Sequence, residues 1–225
     1  MTLRIGVDLD GTLADLSSAY HDIEVSLFGR HSDDSVLEEL PAEPTDKEKL
    51  KAARARSREQ DAVWQCVKST PDFWEQLKPI EPNAVRDLQA AVAAHGWEVF
   101  FITQRPKTAG ASVQLQTQRW LVAQGFEWPS VLTLSGARGK AAHALDLDVL
   151  IDDLPKNCID VISDSRCRPI LVLRTPNPQT EAAALRMNIG VVTSVAEAIA
   201  LLAQPVPATR ETAMRRILKQ LRLAR

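Results

Sequence analysis

The chain has 225 residues, of which 45% are apolar and 25% are charged. This composition is typical of a folded globular protein and excludes a wholly disordered chain. Lys and Arg number 27 against 29 Asp and Glu, which gives a formal net charge of −2. A protein that wraps nucleic acid usually carries a large positive excess, so that class is disfavoured. The length predicts one domain with room for a sizeable insertion.

Cysteine usage and hydropathy indicate in which cellular compartment the protein is expected. The three cysteines, Cys66, Cys158 and Cys167, form no C-x-x-C unit and cannot all pair, which disfavours a disulfide scaffold and a zinc knuckle. Two acidic residues stand within the first ten positions, before a signal peptide could form its apolar region. The longest clean apolar stretch, about 198–203, is far shorter than the roughly 20 residues of a membrane helix. We therefore expect a cytoplasmic protein without a membrane segment.

Apolar runs along the chain predict six strands separated by helices. The first predicted strand covers residues 3–8, and an acidic turn follows it. Five further strands are predicted at 98–103, 130–134, 148–152, 169–173 and 189–193. Spacing of apolar residues close to 3.6 predicts helices between them, most clearly at 83–96 and 112–125. Strands that alternate with helices in this way form parallel sheets. The predicted fold class is α/β, a Rossmann-like parallel sheet with helices on both faces.

A helical insertion interrupts this alternation after the first strand. The segment 16–79 contains no convincing strand, but it includes an acidic stretch at 33–46 and a basic stretch at 47–58. Such charge runs are typical of solvated helix faces, and a substrate-facing role of the basic residues is the alternative. Open α/β sheets bind ligands at the carboxyl ends of their strands. We therefore expect segment 16–79 to form a small helical cap on a core made of 1–15 and 80–207.

The segment 208–225 is predicted to form a basic C-terminal helix. It carries six basic residues and a single acid, Glu211, with an apolar stripe that includes Ile217 and Leu221. The stripe would dock against the body of the protein or against a second subunit, and the latter would make a homodimer. An arm for nucleic acid is the weaker alternative, because no aromatic side chain is interleaved with the charges.

An acidic turn at the end of the first strand carries the strongest chemical signal. Asp8 and Asp10 are two residues apart, and Gly11 permits a tight turn after them. One carboxylate can attack phosphorus, and the other can protonate a leaving group and then activate water. A carboxylate and a phosphate repel each other, so this chemistry requires a divalent cation such as Mg²⁺, which prefers oxygen ligands.

Further polar residues are predicted at the same edge of the sheet. Asp152 and Asp153 follow one predicted strand, Thr103 ends another, and Lys140 begins a predicted helix. A hydroxyl and an ammonium group suit the non-bridging oxygens of a phosphoryl group. Each residue alone has an ordinary explanation, such as an Asp that caps a helix. The complete set in this order indicates a site for phosphoryl transfer.

The segments DLDGT-x-AD, FFIT, GK and VLIDD resemble the four motifs of the haloacid dehalogenase superfamily of phosphotransferases. The resemblance covers residues 5 to about 157. It implies that Asp8 is the nucleophile and Asp10 the general acid and base. It further implies that Thr103 and Lys140 bind the phosphoryl group. The second Asp of the first motif implies phosphatase chemistry, because members of the superfamily that act on haloacids lack it.

The same resemblance implies a magnesium site. Its ligands would be the Asp8 carboxylate, the backbone carbonyl of Asp10 and the Asp153 carboxylate, with Asp152 in support. Mg²⁺ is therefore the expected cofactor.

A narrower resemblance concerns 5′(3′)-deoxyribonucleotidases. The cap position and the segment STPDFWEQLKPIEPNAVRDLQ are similar to that group, which implies that Phe73 and Trp74 help to form a base pocket. The alternative is that both rings are core residues that join the cap to the body. The group has T-S-P after the second motif, whereas Gln104 and Arg105 follow Thr103 here. We include both among the predicted phosphate-binding residues, since an arginine can bind phosphate with two hydrogen bonds.

These observations predict a Mg²⁺-dependent phosphomonoesterase that acts through an aspartyl-phosphate. The expected partner is a small phosphorylated substrate, with nucleoside monophosphates, and deoxynucleotides among them, favoured. Two alternatives share the chemistry, namely another small ester such as a sugar phosphate, and a nucleic-acid end. A third alternative is a module that binds a phosphorylated ligand without turnover. Neither a membrane nor nucleic acid is the expected partner.

Overall fold

The computed structural model describes residues 2–29 and 46–204. The predicted basic helix at 208–225 lies outside the described residues, and so does the acidic stretch at 33–46 apart from its last residue.

Six strands form one parallel sheet in the described part of the chain. They are β1 (Arg4–Asp8), β2 (Glu98–Thr103), β3 (Ser130–Thr133), β4 (Val149–Asp152), β5 (Arg168–Val172) and β6 (Gly190–Val192). Their order across the sheet is β3-β2-β1-β4-β5-β6. All six predicted strands are confirmed, and no predicted strand end differs by more than one residue. The strand order reverses beside β1, which places the end of β1 at the switch point where such sheets bind ligands.

Helices occupy the connections between the strands. They are α1 (Leu16–Phe28), α2 (Asp46–Ser69), α3 (Ala84–His95), α4 (Val113–Ala123), α5 (Arg138–Ala144), α6 (Pro155–Asp164), α7 (Pro178–Arg186) and α8 (Val195–Leu202), with a short 3₁₀ helix at Phe73–Glu75. The predicted helices at 83–96 and 112–125 correspond to α3 and α4. Local sequence sets their ends: the Ser112 hydroxyl accepts a hydrogen bond at the start of α4, and Gly96 ends α3 in the left-handed conformation.

The sheet is buried on both faces, as predicted. Alternate strand residues point to opposite sides. Val7, Phe101 and Ile151 pack in one hydrophobic cluster with residues of α3, α4 and α8. The neighbouring strand positions, Ile102 and Leu150, pack in another cluster with residues of α5 and α6. The strands therefore have continuous apolar sequences rather than alternating ones.

Backbone hydrogen bonds hold the two ends of the insertion together. The amide of Asp15 donates to the carbonyl of Lys78 at 2.8 Å, and the amide of Ile80 donates to the carbonyl of Leu13 at 2.9 Å. Within its described residues the insertion contains α1, α2 and the short 3₁₀ helix. Its later part packs into the same hydrophobic cluster as the sheet, through Val67, Phe73, Trp74 and Leu77. The division into a core and a cap at 79 stays a prediction.

Two leucines of α4 test the assignment of the core. Leu121 is fully buried, whereas Leu115 on the same helix is 41% exposed. We expect Leu121→Ala to lower the free energy of unfolding by about 2–5 kcal/mol, because it leaves a cavity. Leu115→Ala should change it by no more than about 0.5 kcal/mol. Denaturant unfolding of both variants measures the difference, and equal losses would contradict this packing.

Candidate active site

The turn after β1 brings the first motif against the end of β4. Two amides, those of Leu13 and Ala14, donate to the carbonyl of Leu9 at 2.7 Å and close the turn. Gly11 has a φ of +83°, and an ideal Cβ placed on it would lie 2.2 Å from the Asp153 Oδ2. Only glycine satisfies both conditions, so the close approach of Asp153 depends on Gly11.

An arginine from the far end of the chain binds this turn. Arg174 donates from Nη1 to the carbonyl of Gly11 at 2.7 Å and from Nη2 to the carbonyl of Thr12 at 2.8 Å. Its Nη2 also bonds Glu81 Oε1 at 2.8 Å. The Glu81 carboxylate in turn accepts the amides of Val195 and Ala196 at the start of α8, at 2.9 and 3.1 Å. A continuous network therefore joins the first motif to the last described helix.

Three carboxylates converge at the ends of β1 and β4. Asp8, Asp152 and Asp153 each offer an oxygen, and these oxygens lie within 4.8 Å of one another. Asp8 is only 2% exposed and Asp152 is fully buried. The Thr12 hydroxyl lies between two of them, 3.1 Å from Asp153 Oδ1 and 3.5 Å from Asp8 Oδ2. The structure therefore brings three of the four carboxylates of the predicted acidic pairs into one cluster.

Arg138 compensates part of this charge, and it was not among the predicted site residues. Its side chain is buried, with Nη2 bonded to Asp8 Oδ1 and Nη1 donating to the carbonyl of Ile102 at 3.1 Å. Its Nε lies 2.9 Å from Asp152 Oδ2 but is not aligned for a hydrogen bond. One guanidinium thus pairs with two of the three carboxylates.

The predicted cation of this loop, Lys140, is exposed on α5 and has no ion pair or hydrogen bond to a described residue. Residues two apart on a helix point about 200° away from each other, because each residue turns the helix by about 100°. Arg138 and Lys140 therefore cannot both face the carboxylates. The phase of α5, which begins at Arg138, decides in favour of Arg138.

Burial raises the pKa of all three carboxyl groups. The pKa of Asp8 is raised well above its usual range, first by burial and then by the charge of Asp152, while Arg138 lowers it. Burial raises the pKa of Asp152 to about 6, against the opposing effects of Arg138 and of hydrogen bonds from the Leu154 amide and the Asn157 side chain. The pKa of Asp153 is raised as well, again by burial. Burial therefore affects the ionisation of these groups more than the charge of Arg138 does.

A divalent cation fits this arrangement. Three carboxylate groups with hard oxygen donors surround one point, and a single positive side chain opposes them. Mg²⁺ and Ca²⁺ prefer such donors, whereas Zn²⁺ sites usually include His or Cys. This is the one such group of His, Cys, Asp and Glu side chains in the described residues.

The second acid of the first motif lies beside this cluster in a separate set of contacts. Thr103, buried at the end of β2, donates to Asp10 Oδ2 at 3.3 Å. Arg105 binds the Asp10 carboxylate with Nε and Nη2, at distances from 2.7 to 3.1 Å. Asp8, Asp10 and Thr103 are thus brought together as predicted, and Arg105 reaches the site through Asp10.

Three other predicted substrate residues lie elsewhere or are covered. Gln104 is exposed and donates to the carbonyl of Gly136 in the loop before α5. Phe73 and Trp74 are 5% and 0% exposed and contact each other edge to face. In this arrangement neither ring has a free face for a base, which matches the alternative that both are core residues.

Solved structures of other proteins have a similar fold. A β-phosphoglucomutase candidate from Thermotoga maritima aligns with a TM-score of 0.53 at 16% identity, over 91% of this chain and 100% of its own. L-2-haloacid dehalogenase from Xanthobacter autotrophicus, with chloropropionic acid covalently bound, aligns with a TM-score of 0.50 at 12% identity, over 91% of this chain and 99% of its own. These similarities support the fold alone.

A match to a family model identifies the family of the chain. A family model described as 5′ nucleotidase, deoxy (pyrimidine), cytosolic type C protein matches residues 2–188, and the chain belongs to this family. A comparison with curated proteins gave no match. None of the described helices is long and apolar enough to cross a membrane.

Substitutions of Gly11 and Gly96 distinguish the cost of backbone strain from the effect of the contact between Gly11 and Asp153. Gly11 and Gly96 are both left-handed, but nothing lies within 4 Å of a Cβ on Gly96. Gly96→Ala should cost about 1–2 kcal/mol of unfolding free energy from backbone strain alone. Gly11→Ala should cost at least as much and also displace Asp153; if the three carboxylates bind Mg²⁺ and it raises the melting temperature of the wild-type protein, it should not raise that of Gly11→Ala. Thermal unfolding with and without Mg²⁺ measures both effects, and a normal Mg²⁺ response of Gly11→Ala would contradict the required close approach.

Proposed function

We propose that the protein is a Mg²⁺-dependent phosphomonoesterase that acts through an aspartyl-phosphate on Asp8. The proposed substrates are nucleoside monophosphates, with deoxynucleotides favoured. The observation that carries the proposal is the meeting of Asp8, Asp152 and Asp153 at the switch point of the sheet, with Asp10 beside them. Such a set provides a nucleophile, an acid and ligands for a cation in one place.

The proposed reaction has two steps. In the first, Asp8 attacks phosphorus, the bond from phosphorus to the ester oxygen breaks, and Asp10 gives its proton to the departing alcohol. In the second, Asp10 takes a proton from water, and the resulting oxygen attacks the aspartyl-phosphate to release phosphate and restore Asp8. Thr103 lies next to Asp10 and is proposed to bind a phosphoryl oxygen.

Magnesium would be held by Asp8, Asp153 and the carbonyl of Asp10, with Asp152 in support. When bound, it offsets the repulsion between the carboxylates and the phosphoryl group. Arg138 keeps Asp8 and Asp152 in place and lowers the pKa of both. Asn157 and the Leu154 amide fix the orientation of Asp152 through hydrogen bonds of 2.9 to 3.0 Å.

One observation supports a nucleoside as the leaving group, and one cavity is a candidate place for its base. The family to which the chain belongs is described as a deoxy (pyrimidine) nucleotidase. A cavity of about 350 Å³ also opens beside α1, lined by Leu16, Ser17, Tyr20, His21 and Glu24. The Tyr20 ring, which contacts Trp64 edge to face, gives this cavity an aromatic wall. We propose this cavity, rather than the buried rings of Phe73 and Trp74, as the place of the base.

The same proposal includes a cytoplasmic location, and the matching family of cytosolic type C proteins supports it. A homodimer and phosphate binding by Gln104 and Lys140 remain predictions from the sequence. For Lys140, such a role would require α5 to change its orientation, because Arg138 occupies the inner face.

A substrate panel tests the proposed activity. We expect Mg²⁺-dependent phosphate release from nucleoside monophosphates, greatest with deoxynucleotides, and loss of release in EDTA. Sugar phosphates and an aryl phosphate serve as comparison substrates. Turnover that is greatest with sugar phosphates would contradict the nucleotide proposal and retain the chemistry. Tight binding of phosphorylated ligands without phosphate release would instead support a binding module.

Replacement of the nucleophile tests the mechanism. Asp8→Asn should lower kcat by more than about 10⁴-fold, because an amide cannot form the phosphoryl intermediate. The fold should persist, since the change removes one of the three carboxylate charges and Arg138 retains Asp152. Asp87→Asn, at an exposed position in the first turn of α3, is the matched control and should leave kcat unchanged. An active Asp8→Asn protein would contradict the mechanism.

A further inference from the structure

Arg105 directs three hydrogen bonds at the carboxylate of Asp10. Its Nε lies 3.1 Å from Oδ1 and 2.9 Å from Oδ2, and its Nη2 lies 2.7 Å from Oδ1. The Thr103 hydroxyl adds a bond to Oδ2 at 3.3 Å. Both carboxylate oxygens are therefore bound from the protein side, which restricts rotation of the group. Paired hydrogen bonds of this kind are stronger and more directional than single ones.

Residues behind Arg105 fix the guanidinium itself. Its Nη1 donates to the Thr117 hydroxyl on α4 at 2.9 Å. Its central carbon lies 4.7 Å from the centre of the Trp74 ring, a cation–π contact. Trp74 is held in turn, because its indole Nε1 donates to the carbonyl of Pro106 at 3.1 Å. The insertion, the loop after β2 and α4 therefore all contribute to the position of Arg105.

The exposed fractions of the Arg105 and Asp10 side chains show which of them faces the open side of the site. The Arg105 side chain is 0% exposed, whereas the Asp10 side chain is 18% exposed. Asp10 therefore lies between the guanidinium and solvent. Arg105 could contact an incoming phosphoryl group only after it had left Asp10, Thr117 and Trp74. Breaking a buried ion pair of this kind is strongly unfavourable, because it leaves a buried charge without its partner.

We propose that Arg105 is a positioning residue for Asp10, held by Thr117 and Trp74, and that it does not bind the phosphate itself. The guanidinium sets the orientation of the carboxylate so that one oxygen faces the leaving group of the substrate. This inference rests on the proposed function, in which Asp10 protonates that group. It replaces the sequence-based expectation that Arg105 is a phosphate ligand. It also gives Trp74 a function while the ring stays buried.

The effect of an Arg105 substitution on substrates with different leaving groups distinguishes positioning of Asp10 from direct binding of phosphate. An alkyl phosphate such as a nucleoside monophosphate needs a proton on its departing oxygen, whereas p-nitrophenyl phosphate releases a stable anion and needs little acid catalysis. A residue that acts through Asp10 should therefore matter much more for the alkyl ester. A residue that binds phosphate should matter equally for both esters and should weaken competitive inhibition by inorganic phosphate.

The experiment measures kcat/KM on both esters and the inhibition constant of inorganic phosphate. Arg105→Gln should lower kcat/KM by about 10²-fold on the alkyl ester and by less than about tenfold on the aryl ester. Arg105→Lys should recover little, because a single ammonium cannot reproduce the paired bonds. Phosphate inhibition should change by less than about twofold, since the proposal leaves phosphate binding to other groups.

Asp10→Asn should show the same discrimination between esters, and the double variant Asp10→Asn/Arg105→Gln should lose no more than Asp10→Asn.

Two further variants control for damage to the fold. Thr117→Val keeps the volume at the anchor but removes the Nη1 bond, and should lower kcat/KM on the alkyl ester by roughly tenfold. Arg119 is on the same helix as Thr117, and Arg119→Gln removes its exposed ion pair with Glu75 of the 3₁₀ helix; this variant should leave all constants unchanged. If Arg105→Gln does not fold, Thr117→Val carries the test.

Equal losses on both esters, or weaker phosphate inhibition, would overturn the proposal in favour of direct phosphate binding. Unchanged kinetics of Arg105→Gln and Thr117→Val would overturn it as well. These results would leave the proposed function intact, because wild-type turnover would remain. A wild-type protein that hydrolyses neither ester in Mg²⁺ would contradict the proposed function itself and this inference with it.

Discussion

Arg138 brings one positive charge into a cluster of three carboxylates, two of them almost fully buried. Burial without a nearby positive charge raises the pKa of a carboxyl group, which then tends to be neutral. A nucleophile must instead stay ionised in a site from which water is largely excluded. The N-terminus of α5 lies against the ends of β1 and β4, so that a single guanidinium reaches Asp8 and Asp152 and lowers the pKa of both, while burial still holds each pKa above its usual value. Much of the remaining architecture serves to hold these elements in register.

The two acids of the first motif are only two residues apart, yet they have different supports. Asp8 faces Arg138 and the other carboxylates, whereas Asp10 faces Arg105 and Thr103. This division follows from the turn after β1, which Gly11 permits. Pairs of titratable groups in distinct surroundings are the usual means by which one site performs two kinds of proton and phosphoryl chemistry. Here the difference is produced by two arginines on separate elements.

The sequence predicted the strands and the acidic residues well, because both depend on local pattern. Parallel strands end at one edge, so Asp8, Thr103 and Asp152 were expected to meet once the strands were assigned. Arg138 was missed because the loop SGARGK contains two cations, and only the phase of α5 decides which one faces inward. The direction of Arg105 was not predictable, and the burial of Trp74 was one of two alternatives, since both arise from contacts between residues more than 30 positions apart.

The network through Arg174 has a consequence for the order in which the site is assembled. Asp8, the proposed nucleophile, lies near the start of the chain, but the carbonyls of the turn that follows it are bound by a side chain more than 160 residues later. Glu81 extends this dependence to the start of α8, beyond the residues matched by the family model. During synthesis the first motif therefore emerges long before the groups that complete it. A nascent chain that ends before Arg174 therefore contains Asp8 and Asp10 but lacks the side chain that binds the turn after them.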